Sequence, residues 1–308
     1  MIDNCYIDGI SARSRFGVWV TKGGYKDLLT FPALAVPDTT SWPEEDGIEV
    51  DLSEPRLQEK DITISFLASD PNIDASDFIA YVSNPGYHTL YVPILKRTWQ
   101  LRLSDQPANK VYPSVREFSL KFVEDAPTRP VVSLPDPGLF IRDSGYELDG
   151  VSFADYGVVV DVARNELLKA PAAKKNLCRK VSTTDGQIYD VDHLVFESKD
   201  VTFKCHFKAV SMDAFWQCYD AFFAALIQPE ERQLYVDYTG EEYPCYYKQS
   251  SGFKILSISN PVLVEFSFTL VFTVFRVGET EYLLATEGGE LIVLEDDGET
   301  VIDLGYGE

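Results

Sequence analysis

Two long runs of alternating apolar and polar residues occur in each half of the chain, and they match between the halves. Ile62, Ile64 and Phe66 alternate with polar positions, as do Val201, Phe203, Cys205 and Phe207, so each run predicts a strand with one buried face. Phe118, Leu120 and Phe122 in the first half, and Phe266, Phe268, Leu270 and Phe272 in the second, predict another pair. Shorter strand signals lie at Phe16–Val20, Leu90–Val92, Trp99–Leu103, Leu234–Val236 and Cys245–Tyr247. One helical pattern follows the first long strand of each half. Phe78, Ile79 and Val82 form one face behind Asp74 and Asp77, which have capping-box-like spacing, and Asn84-Pro85-Gly86 stops the run. The second helix is stronger: Ser211 can cap it, and Phe215, Trp216, Tyr219, Phe222, Phe223 and Leu226 cover a broad side before Pro229. Many strands interrupted by one helix predict a mainly β (α+β) antiparallel sandwich or barrel in each half, not a βαβ array.

The halves also align by sequence. Residues 46–61, DGIEVDLSEPRLQEKD, match residues 185–200, DGQIYDVDHLVFESKD, without a gap at Asp46/Asp185, Gly47/Gly186, Asp51/Asp190, Lys60/Lys199 and Asp61/Asp200. Asp8-Gly9 pairs with Asp149-Gly150, Leu90-Tyr91-Val92 with Leu234-Tyr235-Val236, and Glu117-Phe118-Ser119 with Glu265-Phe266-Ser267, in the same order. An internal duplication is the expectation: one copy over 1–125, a Pro-rich linker over 126–144, a second copy over 145–276. The linker prolines predict a semi-rigid spacer that keeps the copies at a defined separation. Residues 277–308 carry hairpin turn signals at Gly288-Gly289 and Asp297-Gly298 and predict a small C-terminal β meander. Segments 25–45 and 164–184 hold apolar residues without a clean period and read as extended loops or arms.

Composition narrows the function. At 308 residues and 45% apolar content the chain can bury two sizeable cores, and its net charge of -22 argues against nucleic-acid or anionic-lipid ligands. Ten acidic residues with no Lys or Arg fall after Arg276. No apolar run is long enough to span a bilayer, and the N-terminus lacks the pattern of a signal peptide, so a cytoplasmic product is expected. The five cysteines include no CxxC pair, which supports neither a disulfide framework nor a zinc site. Asp190, Asp192 and His193 form the best catalytic-looking cluster, but strand geometry would turn His193 away from both aspartates. Cys205 and His206 would likewise point to opposite faces, which rules out a nucleophile–base pair between them. Glu295–Glu299 lacks the spacing of a calcium loop, and no phosphate-binding loop or nucleophile elbow is present. The expectation is no enzyme, no cofactor and no metal.

Tyr6-Ile7-Asp8-Gly9-Ile10 followed by Phe16-Gly17-Val18, the segment Asp46–Leu52, the strand Lys60–Ile64, one helix, and Phe118–Phe122 together resemble tail proteins of long-tailed phages. The similarity is to the distal tail and baseplate hub group with tail-tube-like domains. It implies a structural virion protein, assembled in the host cytoplasm, that forms a ring around the DNA channel at the distal end of the tail. Two copies per chain would let a trimer make a pseudo-hexamer, a full hexamer being the other closure. The resemblance implies tube, tape-measure and hub or fibre proteins as partners, with neither sequence-specific nucleic-acid binding nor membrane contact. In such a ring Leu28, Leu29, Phe31 and Leu34 of the first arm, and Leu167, Leu168 and Leu177 of the second, are the candidate inter-subunit contacts. A duplicated major tail-tube subunit is the alternative within the structural class, and a carbohydrate- or protein-binding β-sandwich module lies outside it.

Overall fold

The computed structural model describes residues 4–68, 75–112, 115–175, 178–183, 185–188 and 194–274. In the first half these form β1 (Tyr6–Ile7), β2 (Ile10–Ser11), α1 (Ala12–Phe16), β3 (Val18–Val20), β4 (Thr39–Thr40), β5 (Glu49–Val50), β6 (Lys60–Ala68), α2 (Ser76–Val82), β7 (His88–Val92), β8 (Arg97–Val111) and β9 (Arg116–Glu124). The second half contributes β10 (Tyr146–Leu148), β11 (Val151–Ser152), β12 (Val158–Val162), α3 (Arg164–Leu168), β13 (Lys199–Ala209), α4 (Met212–Leu226), β14 (Arg232–Val236), β15 (Glu241–Ile258) and β16 (Val262–Phe272).

Fourteen strands build two seven-stranded antiparallel sheets, ordered β2-β1-β7-β8-β9-β6-β3 and β11-β10-β14-β15-β16-β13-β12, and β4 pairs with β5 in a separate two-stranded sheet. The mainly β architecture expected from the alternating pattern is therefore present. The sheets share registers as well as order. Lys60 faces Glu124 as Lys199 faces Phe272, and Phe66 faces Phe118 as Cys205 faces Phe266. Ile7 faces Leu90 as Leu148 faces Leu234. Each sheet also has a bulge at one matching place, at Ser104 in β8 and at Lys248 in β15.

Local chemistry explains the hairpins at the sheet edges. Asp8 and Asp149 both adopt φ 52 and are followed by Gly9 at φ 77 and Gly150 at φ 76, the left-handed pair that a tight two-residue hairpin turn requires. Each aspartate also accepts the backbone N–H of a neighbouring strand, Thr89 at 2.7 Å and Gln233 at 2.9 Å. Phe16–Val20 is not one strand. Ser11 caps a short helix by accepting from Ser14 N at 3.2 Å, Gly17 ends it at φ 61, and the strand begins only at Val18.

The two main helices differ in length. α4 has 15 residues, with Ser211 accepting from Ala214 N at 3.2 Å as its cap, whereas α2 has 7 and begins at Ser76; Asp74 lies outside the described residues. Both pack aromatic side chains on the long strands. Phe78 meets Phe66 and Phe118, and Phe222 meets Phe207, Phe266 and Phe268. The linker expectation needs correction. Residues 126–137 contain no helix or strand, but the halves are not held apart: their buried side chains form one continuous hydrophobic cluster. Contacts of the first arm with the second half account for this. The expected meander over 277–308 lies outside the described residues.

Candidate assembly interface

Each arm starts the same way. The first forms a single 3-10 turn, Lys26–Leu29, which buries Leu28 and Leu29. Lys60 of β6 fastens it by donating from Nζ to the Leu28 carbonyl at 2.8 Å, and the Asp27 carboxylate accepts Thr63 N at 3.2 Å. The second arm repeats this in α3. Lys199 donates to the carbonyls of Leu167, at 2.6 Å, and Lys169, while the Glu166 carboxylate accepts Thr202 N at 2.9 Å. Burial pushes both ammonium groups down to about 8; Glu124 acts against this at Lys60, and Lys169 adds to it at Lys199. The lysine of the repeated Lys-Asp pair thus fastens each arm.

After that turn the arms diverge. Phe31 enters the second half, stacking on Phe223 with centroids 4.7 Å apart, packing on Tyr219 at 4.5 Å and meeting Phe253 edge-on at 5.4 Å. It is 3% exposed, and burying a side chain of this kind contributes about 1.5–3 kcal/mol. Neighbouring backbone groups of the arm bond to the second half. Phe31 N donates to Ser250 Oγ at 2.9 Å, Leu34 N to the Lys248 carbonyl at 2.9 Å, Tyr219 OH to the Leu29 carbonyl at 2.9 Å and Tyr247 OH to the Pro32 carbonyl at 3.1 Å. Within β15 only Glu241–Cys245 pairs with β14, and the arm bonds Lys248 and Ser250 beyond that pairing.

Two further patches join the halves. Trp216 Nε1 donates to the Leu95 carbonyl at 2.5 Å, the Trp216 ring meets Trp99 at 6.1 Å, and Arg97 lies 4.3 Å over the same ring while pairing with Asp220 at 2.9 Å. The third patch is the first copy of the duplicated Asp-Gly. Gly47 N donates to the Phe196 carbonyl at 2.8 Å, Ile48 N to the Thr273 carbonyl at 2.9 Å, and the Asp46 carboxylate accepts Phe196 N at 2.7 Å. Gly47 has φ +73, and a Cβ there would overlap the Thr273 carbonyl oxygen, so only glycine fits. Lys174, 5% exposed, gives its ammonium to the carbonyls of Trp42, Glu45 and Gly47 at 2.8, 2.7 and 2.5 Å.

The arm residues expected to touch a neighbouring subunit fall into three groups. Leu28, Leu29, Phe31 and Leu34 are buried within the chain, and Phe31 is covered by the chain's own second half. Leu167 is buried and Leu168 is 54% exposed. Leu177 lies outside the described residues. Lys174, Trp216 and Gly47 were not singled out as contacts from the sequence. Gly47 carried the clearest signal, because Asp-Gly recurs at the aligned position Asp185-Gly186.

Geometry at the catalytic-looking residues favours structure. Cys205 is buried, and burial pushes its thiol well above the ordinary range, while His206 Nδ1 lies 2.9 Å from the Asp161 carboxylate. Burial also pushes Cys5 and Cys218 up to about 12, the reverse of what a reactive thiolate needs. Asp190, Asp192 and His193 lie outside the described residues. Among the described residues no group of three or more His, Cys, Asp or Glu is placed to hold a metal, and no helix is long and apolar enough to cross a membrane.

No family model matches the chain, and no curated protein matches it. Among solved structures it is similar to the SPP1 Dit (gp 19.1) protein, described as a paradigm of the hub adsorption apparatus in phages infecting Gram-positive hosts. The TM-score is 0.29 at 8% identity, over 88% of this chain and 99% of that one. At that score the likeness bears no weight by itself, and the functional reading rests on the interface described above.

Proposed function

We propose that this chain is a structural protein of a long-tailed phage tail, forming a ring at the distal end of the tail around the DNA channel, in the hub or adaptor position. The observation that carries this reading is the repetition of one sheet within the chain. Two seven-stranded sheets with the same strand order and matching registers are joined head to tail by the first arm. A contact of this kind between unlike surfaces closes into a ring when it is repeated through the right rotation. Three chains would then supply six copies. The net charge of -22 suits a wall past which DNA slides without adhering. Three patches, at Phe31, Trp216 and Gly47, join the chain's own halves.

Native mass measurement with negative-stain imaging over a concentration series tests the proposal. Discrete rings with a central hole, built from three or six chains, are expected. Stacks that grow into tubes would assign the chain to the tube wall instead, and a compact monomer at every concentration would contradict the ring.

A further inference from the structure

The second Asp-Gly has the backbone of the first but, among the described residues, not its partner. Gly186 adopts φ +78, close to the +73 of Gly47, yet a Cβ built on it meets open space, and Asp185, Gly186, Gln187 and Ile188 are all exposed. The receiving side is also duplicated. Gly47 and Ile48 dock against Phe196 and Thr273, and the shared registers place Leu57 and Asp125 at the corresponding positions of the first half. Leu57 is presented as Phe196 is. Its bridge to Leu34 is closed by Ala35 N donating to the Arg56 carbonyl and Gln58 N to the Ala33 carbonyl. The Ala173–Phe196 bridge is closed by Lys174 N to Val195 and Glu197 N to Ala172. That antiparallel pattern turns the N–H and C=O of the central residue away from the bridge. In the second half Asp46 and Gly47 take them; in the first half Leu57 and Asp125 line an open groove of about 530 Å³.

We infer that the Asp185–Gly186 turn of one chain docks into the Leu57–Asp125 groove of a second copy, repeating between chains the contact that Asp46–Gly47 makes within one. The inference rests on the ring reading and specifies the junction between its chains. Gly186 N would donate to the Leu57 carbonyl, Gln187 N to the Asp125 carbonyl, and the Asp185 carboxylate would accept Leu57 N. Arg56, paired with Glu54, and Arg129, which donates to the Pro55 carbonyl, line the same groove, so the docking rests on the backbone bonds and not on charge. Other parts of the internal interface have no counterpart. Ala170 stands where the first arm has Phe31, and Ala35 where the second half has Lys174. The junction between chains is accordingly weaker than the one within them, and assembly depends on concentration.

Paired cysteines test the contact. Asp125→Cys and Gln187→Cys are combined in a Cys178→Ser background, which removes the exposed native thiol, and the protein is oxidised at assembling concentrations. A ladder of covalent dimers and trimers is expected, absent from either single-cysteine variant. Asp185→Ala should leave thermal melting unchanged while raising the assembly midpoint roughly tenfold, the worth of one hydrogen bond to a charged group. Rings that form without a ladder would overturn this junction and leave the ring standing. A chain that stays monomeric at every concentration, with no ladder, would remove both.

Discussion

Gly47 and Gly186 occupy the same place in two copies of one sequence motif and have nearly the same backbone angle, yet one is sealed against a carbonyl and the other faces solvent. The arms show the same contrast: Leu29 is 0% exposed and its counterpart Leu168 is 54% exposed. Backbone and fasteners are preserved in both arms, since Lys60 and Lys199 grip them alike. The difference is the surface that each arm meets. The first finds α4 and β15 of its own chain, while the second meets the first half through Lys174 and leaves Leu168 and Ala170 exposed. A motif with the same backbone angle in two places, covered in one and exposed in the other, is what the proposed junction between chains is built on.

Substitutions at matched positions should separate the copies. Gly47→Val should cost more than about 4 kcal/mol in denaturant unfolding, because the new side chain overlaps the Thr273 carbonyl. Gly186→Val should cost only the backbone strain of a left-handed β-branched residue, about 1–2 kcal/mol. Equal losses would erase the distinction. Phe31→Ala should lose about 3–5 kcal/mol, whereas Ala170→Phe, at an exposed position, should shift stability by less than about 0.5 kcal/mol in the isolated chain.

The arm fasteners give a pH signature. Lys60 and Lys199 are pushed from 10.5 down to about 8 in the folded chain, so between those values the unfolded chain holds more protons and stability rises with pH. Below about 8 their penalty is constant. Lys60→Met should remove about half of that rise, on the order of 1–3 kcal/mol, as read from melting curves at pH 8 and pH 10.5. Trp216→Phe, which removes the bond to Leu95 and weakens the Arg97 contact, should cost about 1–2 kcal/mol.

Much of the fold was legible because alternation is a local property. The long strands, both main helices and the matched segments follow from period and punctuation. Phe16–Val20 misled because Phe16 and Val18–Val20 read as one apolar run; the Ser11 cap and Gly17 were the signals of a helix end within it. The arms were visible as apolar segments without a period, but periodicity does not say what covers a side chain. Phe31 is in the core through partners near residues 219, 223 and 253, far along the chain. The aligned arms held one clue to this: Phe31 matches Ala170, so the two could not be meeting the same surface.

A structure of the assembled particle, resolved at the junction between chains, tests the central claim most directly. The account predicts the Asp185–Gly186 backbone lying against Leu57 and Asp125 of the adjacent chain, superimposable on Asp46–Gly47 against Phe196 and Thr273. An assembled ring in which Gly186 still faces solvent, or in which another surface fills the Leu57 groove, would contradict it.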